Sequence, residues 1–167
     1  MIANLRYNVQ NRAEEILRQH GFVSAPIDVL KLAKILGLAV YSVRFSNPDI
    51  SGGIKFLDKG AEIYVNVNDS WNRKRFTIAH EIGHYVLHKE DFEEGFYETI
   101  DMFRNTSNHE KREIEANEFA ASVLMPRDLV RKEWGIWGST EILADIFKVS
   151  LAAMSYRLFI LGLKGDW

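Results

Sequence analysis

The stretch RFTIAHEIGHYVLH, residues 75–88, places two histidines four residues apart, with a glutamate directly after the first. In a helix, His80 and His84 lie on one face and can direct imidazole nitrogens at one metal ion. Glu81 lies on the adjacent flank, where a carboxylate can act as a general base. The spacing therefore predicts a hydrolytic metal site. The alternative is a buried helix that carries histidines by chance.

A catalytic zinc site usually has three protein ligands and one open position, so a third ligand must come from elsewhere. The best carboxylate source is EIEANEFAASVLMP, residues 113–126, on a predicted helix. Glu113 and Asn117 are four residues apart and share a face, whereas Glu115 points to another. We therefore assign Glu113 to the metal and Asn117 to a ring nitrogen of one histidine. Exchange of Glu113 for Glu115 stays open here.

The composition limits the chemistry and the partners. The chain has 167 residues, 47% of them apolar, which is enough for one core but not for two comfortable domains. The absence of cysteine excludes disulfides and thiolate sites, and leaves histidine and carboxylate as ligands for one Zn²⁺ per chain. The net charge of -2 does not indicate nucleic acid or an anionic membrane as a partner.

Hydrophobic periodicity predicts the elements that carry these residues. No run approaches the length of a membrane span, and we expect a cytoplasmic protein without a membrane partner. The expected fold is α+β and mainly helical, with a small antiparallel sheet beside the metal helix. Helical patterns cover residues 4–20, 27–36, 71–88 with Asn72 as N-cap, and 110–124; strand patterns cover 38–45, 52–56 and 61–67.

The C-terminal segment, residues 140–163, has the pattern of two helices joined by a turn at residues 148–150. It resembles a helix-turn-helix unit. Its second helix offers only Arg157 and Lys164 as basic groups, although DNA binding depends on many phosphate contacts. We expect this lobe to pack structurally or to dock a protein, and we do not expect direct nucleic-acid binding.

Several roles stay open from the residues alone. Five acidic residues between Glu90 and Glu98 predict a solvated loop, with a flap beside the site as the alternative. The basic cluster at residues 73–75 could pair with that loop. His88 is expected to hydrogen-bond near its helix end. The donor that stabilises the oxyanion is undecided among four residues: Tyr156, Arg157, His88 and His109.

The stretches 75–88 and 113–126, with the C-terminal segment ADIFKVSLAAMSYRLFILGL, resemble the ImmA/IrrE family of zinc metallopeptidases. Members of that family cleave, or are thought to cleave, DNA-binding repressors. The resemblance implies zinc ligands at His80, His84 and Glu113 and a catalytic glutamate at Glu81. It also implies a single metallopeptidase domain over residues 1–167, with a zincin-like core in 1–125 and a helical lobe in 126–167.

The expected function is therefore zinc-dependent hydrolysis of a peptide bond in a specific protein. By the resemblance, that protein is a helix-turn-helix repressor of a phage, a mobile element or a stress operon. Two competing functions remain, namely a non-catalytic metal-binding regulator and a toxin–antitoxin component that acts by binding protein or DNA. Glu81 discriminates between an enzyme and a structural metal site, because a structural site needs no base.

Overall fold

A computed structural model describes residues 2–91, 97–99 and 107–164 of the chain. These residues form helices and one small sheet, which confirms the α+β class. The α-helices in this part of the chain are α1 (Ile2–Gln19), α2 (Val29–Ile35), α3 (Trp71–His88), α4 (Ser107–Leu124), α5 (Arg127–Trp137), α6 (Thr140–Phe147) and α7 (Leu151–Ile160). The strands are β1 (Leu38–Val43), β2 (Gly52–Phe56), β3 (Ala61–Asn66) and β4 (Tyr97–Thr99), and a 3₁₀ turn covers Lys89–Asp91.

The sheet has the strand order β1-β3-β2-β4. The predicted antiparallel pairing holds for β2 with β3. The strand β4, which the sequence did not predict, also pairs antiparallel with β2. The predicted pairing is wrong for β1, which pairs parallel with β3, Leu38 opposite Ala61. The reason is the connection over residues 44–51, which is long enough to pass the position of β3. Because β3 returns from a tight hairpin and inserts between β1 and β2, it runs in the direction of β1.

The chain divides into two compact units, one formed by Met1–Ile27 with Ala121–Trp167 and the other by Asp28–Ala120. The single-domain organisation of residues 1–167, with its boundary at residue 125, stays a prediction. Most of the acidic stretch between Glu90 and Glu98 lies outside the described residues. Its role also stays a prediction. Within the described ranges, no helix is both long and apolar enough to cross a bilayer.

In the unit of Asp28–Ala120, α3 packs on β2 and β3. The N-cap of α3 is Ser70 rather than the predicted Asn72, because the Ser70 hydroxyl accepts the hydrogen bond from the Arg73 amide at 3.3 Å. The buried core of this unit is aliphatic and aromatic, and includes Ile54, Ile63, Ile78, Ile82 and Phe119.

Gly83 lets α3 and α4 approach closely. A Cβ atom at this position would lie 3.2 Å from the Ala116 Cα and 3.2 Å from the Phe119 Cβ. Those distances are tighter than ordinary side-chain contacts. The glycine within the H-E-x-x-H stretch therefore brings the helix of residues 107–124 against the histidine-bearing helix.

In the other unit, the predicted helix–turn–helix is present as α6 and α7. Ser139 and Ser150 cap the two helices, each accepting a hydrogen bond from the amide three positions further on. Lys148 ends α6 with φ of 52°, the left-handed conformation that glycine usually supplies at this turn. The apolar interior is formed by Leu143, Phe147, Met154 and Leu158.

Candidate metal centre

The helix α3 presents its chemistry on a buried face. His80, Glu81 and His84 are exposed by 4%, 1% and 1% of their surface, respectively. Polar side chains are rarely buried to this degree without partners, because removing them from water costs several kcal/mol. We therefore expect these three side chains to have protein or metal partners in place of water.

Three ligand-type atoms converge beside this face. His80 Nε2 and His84 Nε2 lie 2.9 Å apart. The Glu113 carboxylate on α4 approaches both, with Oε1 at 3.1 Å from His84 Nε2 and Oε2 at 3.5 Å from His80 Nε2. The structure thus brings together the two histidines and the glutamate that the sequence assigns to the metal. Within the described residues, these three are the group that could hold a metal ion.

The donor set fits a zinc ion in both chemistry and spacing. Two ligand atoms of a tetrahedral zinc ion lie about 3.3 Å apart, given metal–ligand distances of about 2.0–2.1 Å. The observed separations of 2.9, 3.1 and 3.5 Å bracket that value. Two imidazole nitrogens and a carboxylate also offer only lone pairs to one another unless a proton or a cation lies between them. Such an arrangement is typical of a cation site.

The second ring nitrogen of each histidine has its own partner. His80 Nδ1 lies 3.0 Å from the Asn117 side-chain oxygen, the contact predicted from the spacing of Glu113 and Asn117. His84 Nδ1 lies 3.3 Å from His88 Nδ1. Hydrogen-bond partners of this kind fix the orientation of metal-binding imidazoles.

Glu115 does not enter the cluster. Its Oε2 lies 2.9 Å from His88 Nε2. Of the two glutamates, Glu113 therefore faces His80 and His84, and Glu115 faces His88. Glu115 thus points to another face of α4 than Glu113, and its partner there is His88. The reason is that His88, one turn beyond His84 on α3, is buried with 5% of its surface exposed and needs an acceptor.

The electrostatic surroundings favour neutral imidazoles. Burial, and next the proximity of His84, lowers the pKa of His80 from 6.5 to about 4. Burial is also the main cause that lowers the pKa of His88, against the opposing effect of its hydrogen bond to Glu115. A neutral imidazole is the form that binds a metal, because protonation occupies the lone pair.

Arg157 and two residues of the basic cluster at 73–75 have hydrogen-bond or ion-pair partners outside the histidine–glutamate cluster. The Arg157 Nε group donates to the Met125 carbonyl oxygen at 3.0 Å, and this side chain is buried. In the basic cluster, Arg73 contacts Asp69 and Ser51, and Lys74 donates to the Val67 carbonyl oxygen. These contacts show that two of the three basic residues have partners close to their own helix.

Sequence reasoning missed two features, the link from His88 to Glu115 and the role of Gly83. A signal for the first was present, because His84 and His88 repeat the four-residue spacing of His80 and His84. The glycine was visible too, but only the distance to Ala116 and Phe119 shows why it matters.

Comparison with known proteins gives the family. The model of the M78 peptidases, described as the IrrE N-terminal-like domain, matches residues 33–159. The chain belongs to this family. It is therefore a metallopeptidase of the ImmA/IrrE group, as the resemblance of its motifs indicates.

Two similar proteins agree with this assignment. Metallopeptidase ImmA of Bacillus subtilis (strain 168) is 24% identical over 161 residues, covering 92% of this chain and 86% of that protein. A Mycobacterium tuberculosis transcriptional regulator of known structure superposes with a TM-score of 0.66 at 16% identity, over 91% of this chain. This chain spans 47% of that regulator, and the likeness shows the fold alone.

Proposed function

We propose that this metallopeptidase is a zinc-dependent endopeptidase that cleaves a specific protein, a helix-turn-helix transcriptional repressor. The observation that carries the proposal is the convergence of His80 Nε2, His84 Nε2 and the Glu113 carboxylate within 3.5 Å, next to the buried Glu81. A metal site that serves only stability has no need of a buried carboxylate beside it.

The residues would act as follows. His80, His84 and Glu113 hold the ion, and a bound zinc supplies Lewis acidity that polarises the scissile carbonyl and makes a water more acidic. Glu81, buried and directly after His80, accepts a proton from the attacking water and passes it to the leaving amine. Asn117 keeps the His80 ring in place, which preserves the direction of its Nε2 lone pair.

The protein substrate is supported by the family and by the C-terminal unit. Its α7 has a single basic residue, Arg157, and that side chain is buried. Exposed positions on the same helix are apolar, among them Leu151 and Phe159. This surface is suited to contact with a protein and poorly suited to phosphate groups. The comparison with a transcriptional regulator concerns the fold, and the repressor as substrate rests on the family resemblance.

The first experiment separates metal binding from catalysis. Elemental analysis of the purified protein should give about one zinc per chain in the wild type and in Glu81→Gln. Proteolysis is then assayed by mass spectrometry against a mixed peptide library and against purified helix-turn-helix repressors encoded beside the gene. The wild type should cut one repressor at one bond, and Glu81→Gln should lose about 10²–10⁴-fold of that rate.

Each other outcome has a definite meaning. Full zinc content with equal cleavage by Glu81→Gln would exclude Glu81 as the base. Full zinc content without cleavage of any repressor or peptide would favour the metal-binding regulator instead. A matched control is Glu110→Gln, because Glu110 is an exposed carboxylate on α4 and its change should alter neither zinc content nor cleavage.

A further inference from the structure

His84 has an unusual hydrogen-bond environment for a proposed metal ligand. Its Nδ1 faces another imidazole nitrogen, His88 Nδ1, at 3.3 Å rather than a carbonyl or a carboxylate. That second ring then reaches a carboxylate through its far side, with Nε2 at 2.9 Å from Glu115 Oε2. Both histidines are buried, with 1% and 5% of their surface exposed. The three side chains form a continuous chain that leads away from the metal centre.

The order of protons along this chain follows from Glu115. A carboxylate only accepts hydrogen bonds, so a neutral His88 must carry its proton on Nε2. Its Nδ1 is then a lone pair and accepts a hydrogen bond from His84 Nδ1. The proton of His84 therefore lies on Nδ1, and its Nε2 is left as a lone pair that faces Glu113 at 3.1 Å. The reverse order would place the unprotonated His88 Nε2 against the carboxylate, which repels it.

We propose that Glu115 and His88 are positioning residues of the metal centre: across two rings, they set the tautomer of His84 that binds the ion. This inference rests on the proposed zinc site. The second oxygen of Glu115 lies 3.9 Å from the exposed Lys111 Nζ, which leaves Oε2 for His88. The His80 ring depends on the Asn117 oxygen, so the two histidine ligands are oriented by different means.

The direct test is the protonation state of the rings in the zinc-loaded wild type, read from long-range ¹H–¹⁵N correlation spectra of the imidazoles. We expect His84 with a proton on Nδ1 and none on Nε2, and His88 with a proton on Nε2 and none on Nδ1. A proton on His88 Nδ1 would overturn the proposal. Because this measurement uses the unaltered protein, it does not depend on whether any variant folds.

The second test is zinc affinity, measured by competition with a chelator. Glu115→Ala should weaken zinc binding by about 10–100-fold, as loss of such partners usually does. Glu115→Gln keeps an acceptor oxygen and should recover most of that loss. The matched control is Glu110→Ala at an exposed position of α4, which should bind zinc like the wild type.

Spectra of the cobalt-substituted proteins add a readout of the metal surroundings. The visible absorption bands should shift in Glu115→Ala and stay in place in Glu110→Ala, because only the first alters the basicity of His84. Equal zinc affinity of Glu115→Ala and the wild type would overturn the proposal. Equal losses of zinc affinity in Glu115→Ala and Glu115→Gln would also overturn it, because the effect would then come from the charge of Glu115 and not from its hydrogen bond to His88. A wild type that binds no zinc would instead overturn the proposed function, before any variant is compared.

Discussion

Two helix pairs of this chain, α3 with α4 and α6 with α7, carry recognisable motifs but differ in how many polar side chains they bury. The first pair buries His80, Glu81, His84 and His88. The second buries mainly hydrocarbon, with Arg157 as a charged exception, and serines cap its helices. Burying polar groups costs free energy unless each has a partner, whereas burying hydrocarbon stabilises without further conditions. The buried polar groups of the first pair are therefore suited to the proposed metal ion, whereas the buried side chains of the second pair mainly stabilise the fold.

The largest effect is expected when a proposed metal ligand is removed from the first pair. Glu113→Gln replaces a charged donor by a weakly binding amide, and one of three ligands carries a large share of a zinc site's binding free energy. We expect zinc affinity, measured against a chelator, to fall by about 10³-fold. The same change at the exposed Glu110 should have no effect. Unaltered affinity in Glu113→Gln would mean that the carboxylate 3.1 Å from His84 is not a ligand.

The corresponding change in the second pair removes hydrocarbon. Phe147 is completely buried, and Phe147→Ala should lower the free energy of unfolding by about 3–5 kcal/mol in denaturant titrations of the metal-free protein. Zinc affinity should stay within about threefold, because α6 carries none of the proposed ligands. Phe159→Ala is the control, since Phe159 is 42% exposed and its loss should cost far less. A comparable cost at both positions would contradict the apolar interior assigned to this pair.

The sequence predicts the two pairs unequally well, for physical reasons. Four-residue spacing defines a helix face, so the convergence of His80 and His84 follows from local geometry, whereas for Glu113 over Glu115 it gives only a preference. The turn at Lys148 follows from local signals as well, although such signals placed the N-cap of α3 at Asn72 instead of Ser70. The direction of a strand in the sheet cannot be predicted in this way. The strands β1 and β3 are separated along the chain, and no local signal indicates that β3 inserts between β1 and β2.

The partner of His88 could not be predicted for a related reason. Glu115 lies on another face from Glu113, and which neighbour meets that face depends on how α4 packs on α3. That packing is set by contacts such as Gly83 against Ala116 and Phe119. A pattern within one helix shows the residues that share its face but does not show the distance to a second helix.

A smaller loss of zinc affinity is expected when Asn117, the partner of His80, is changed. Asn117→Ala removes the oxygen 3.0 Å from His80 Nδ1 and should weaken zinc binding by about tenfold. Asn117→Asp keeps an acceptor at the same place and should restore most of the affinity. Chelator competition on the three proteins decides the matter. If Asn117→Ala binds zinc as tightly as the wild type, the ring of His80 is held by packing alone.

The smallest effect is expected at the turn of the second pair, where Lys148 has φ of 52°. A left-handed conformation costs a residue with a Cβ about 1–2 kcal/mol, and glycine avoids this cost while losing about 0.4–1 kcal/mol through its freer unfolded state. The free energy of unfolding of Lys148→Gly should therefore exceed that of Lys148→Ala by about 0.5–1 kcal/mol. In denaturant titrations, Lys148→Gly should unfold at the higher denaturant concentration. Both variants remove the exposed contact to Asp145 equally, so the difference isolates the backbone. In a right-handed helix the order is the reverse, with alanine the more stable, so an alanine advantage here would contradict the left-handed turn.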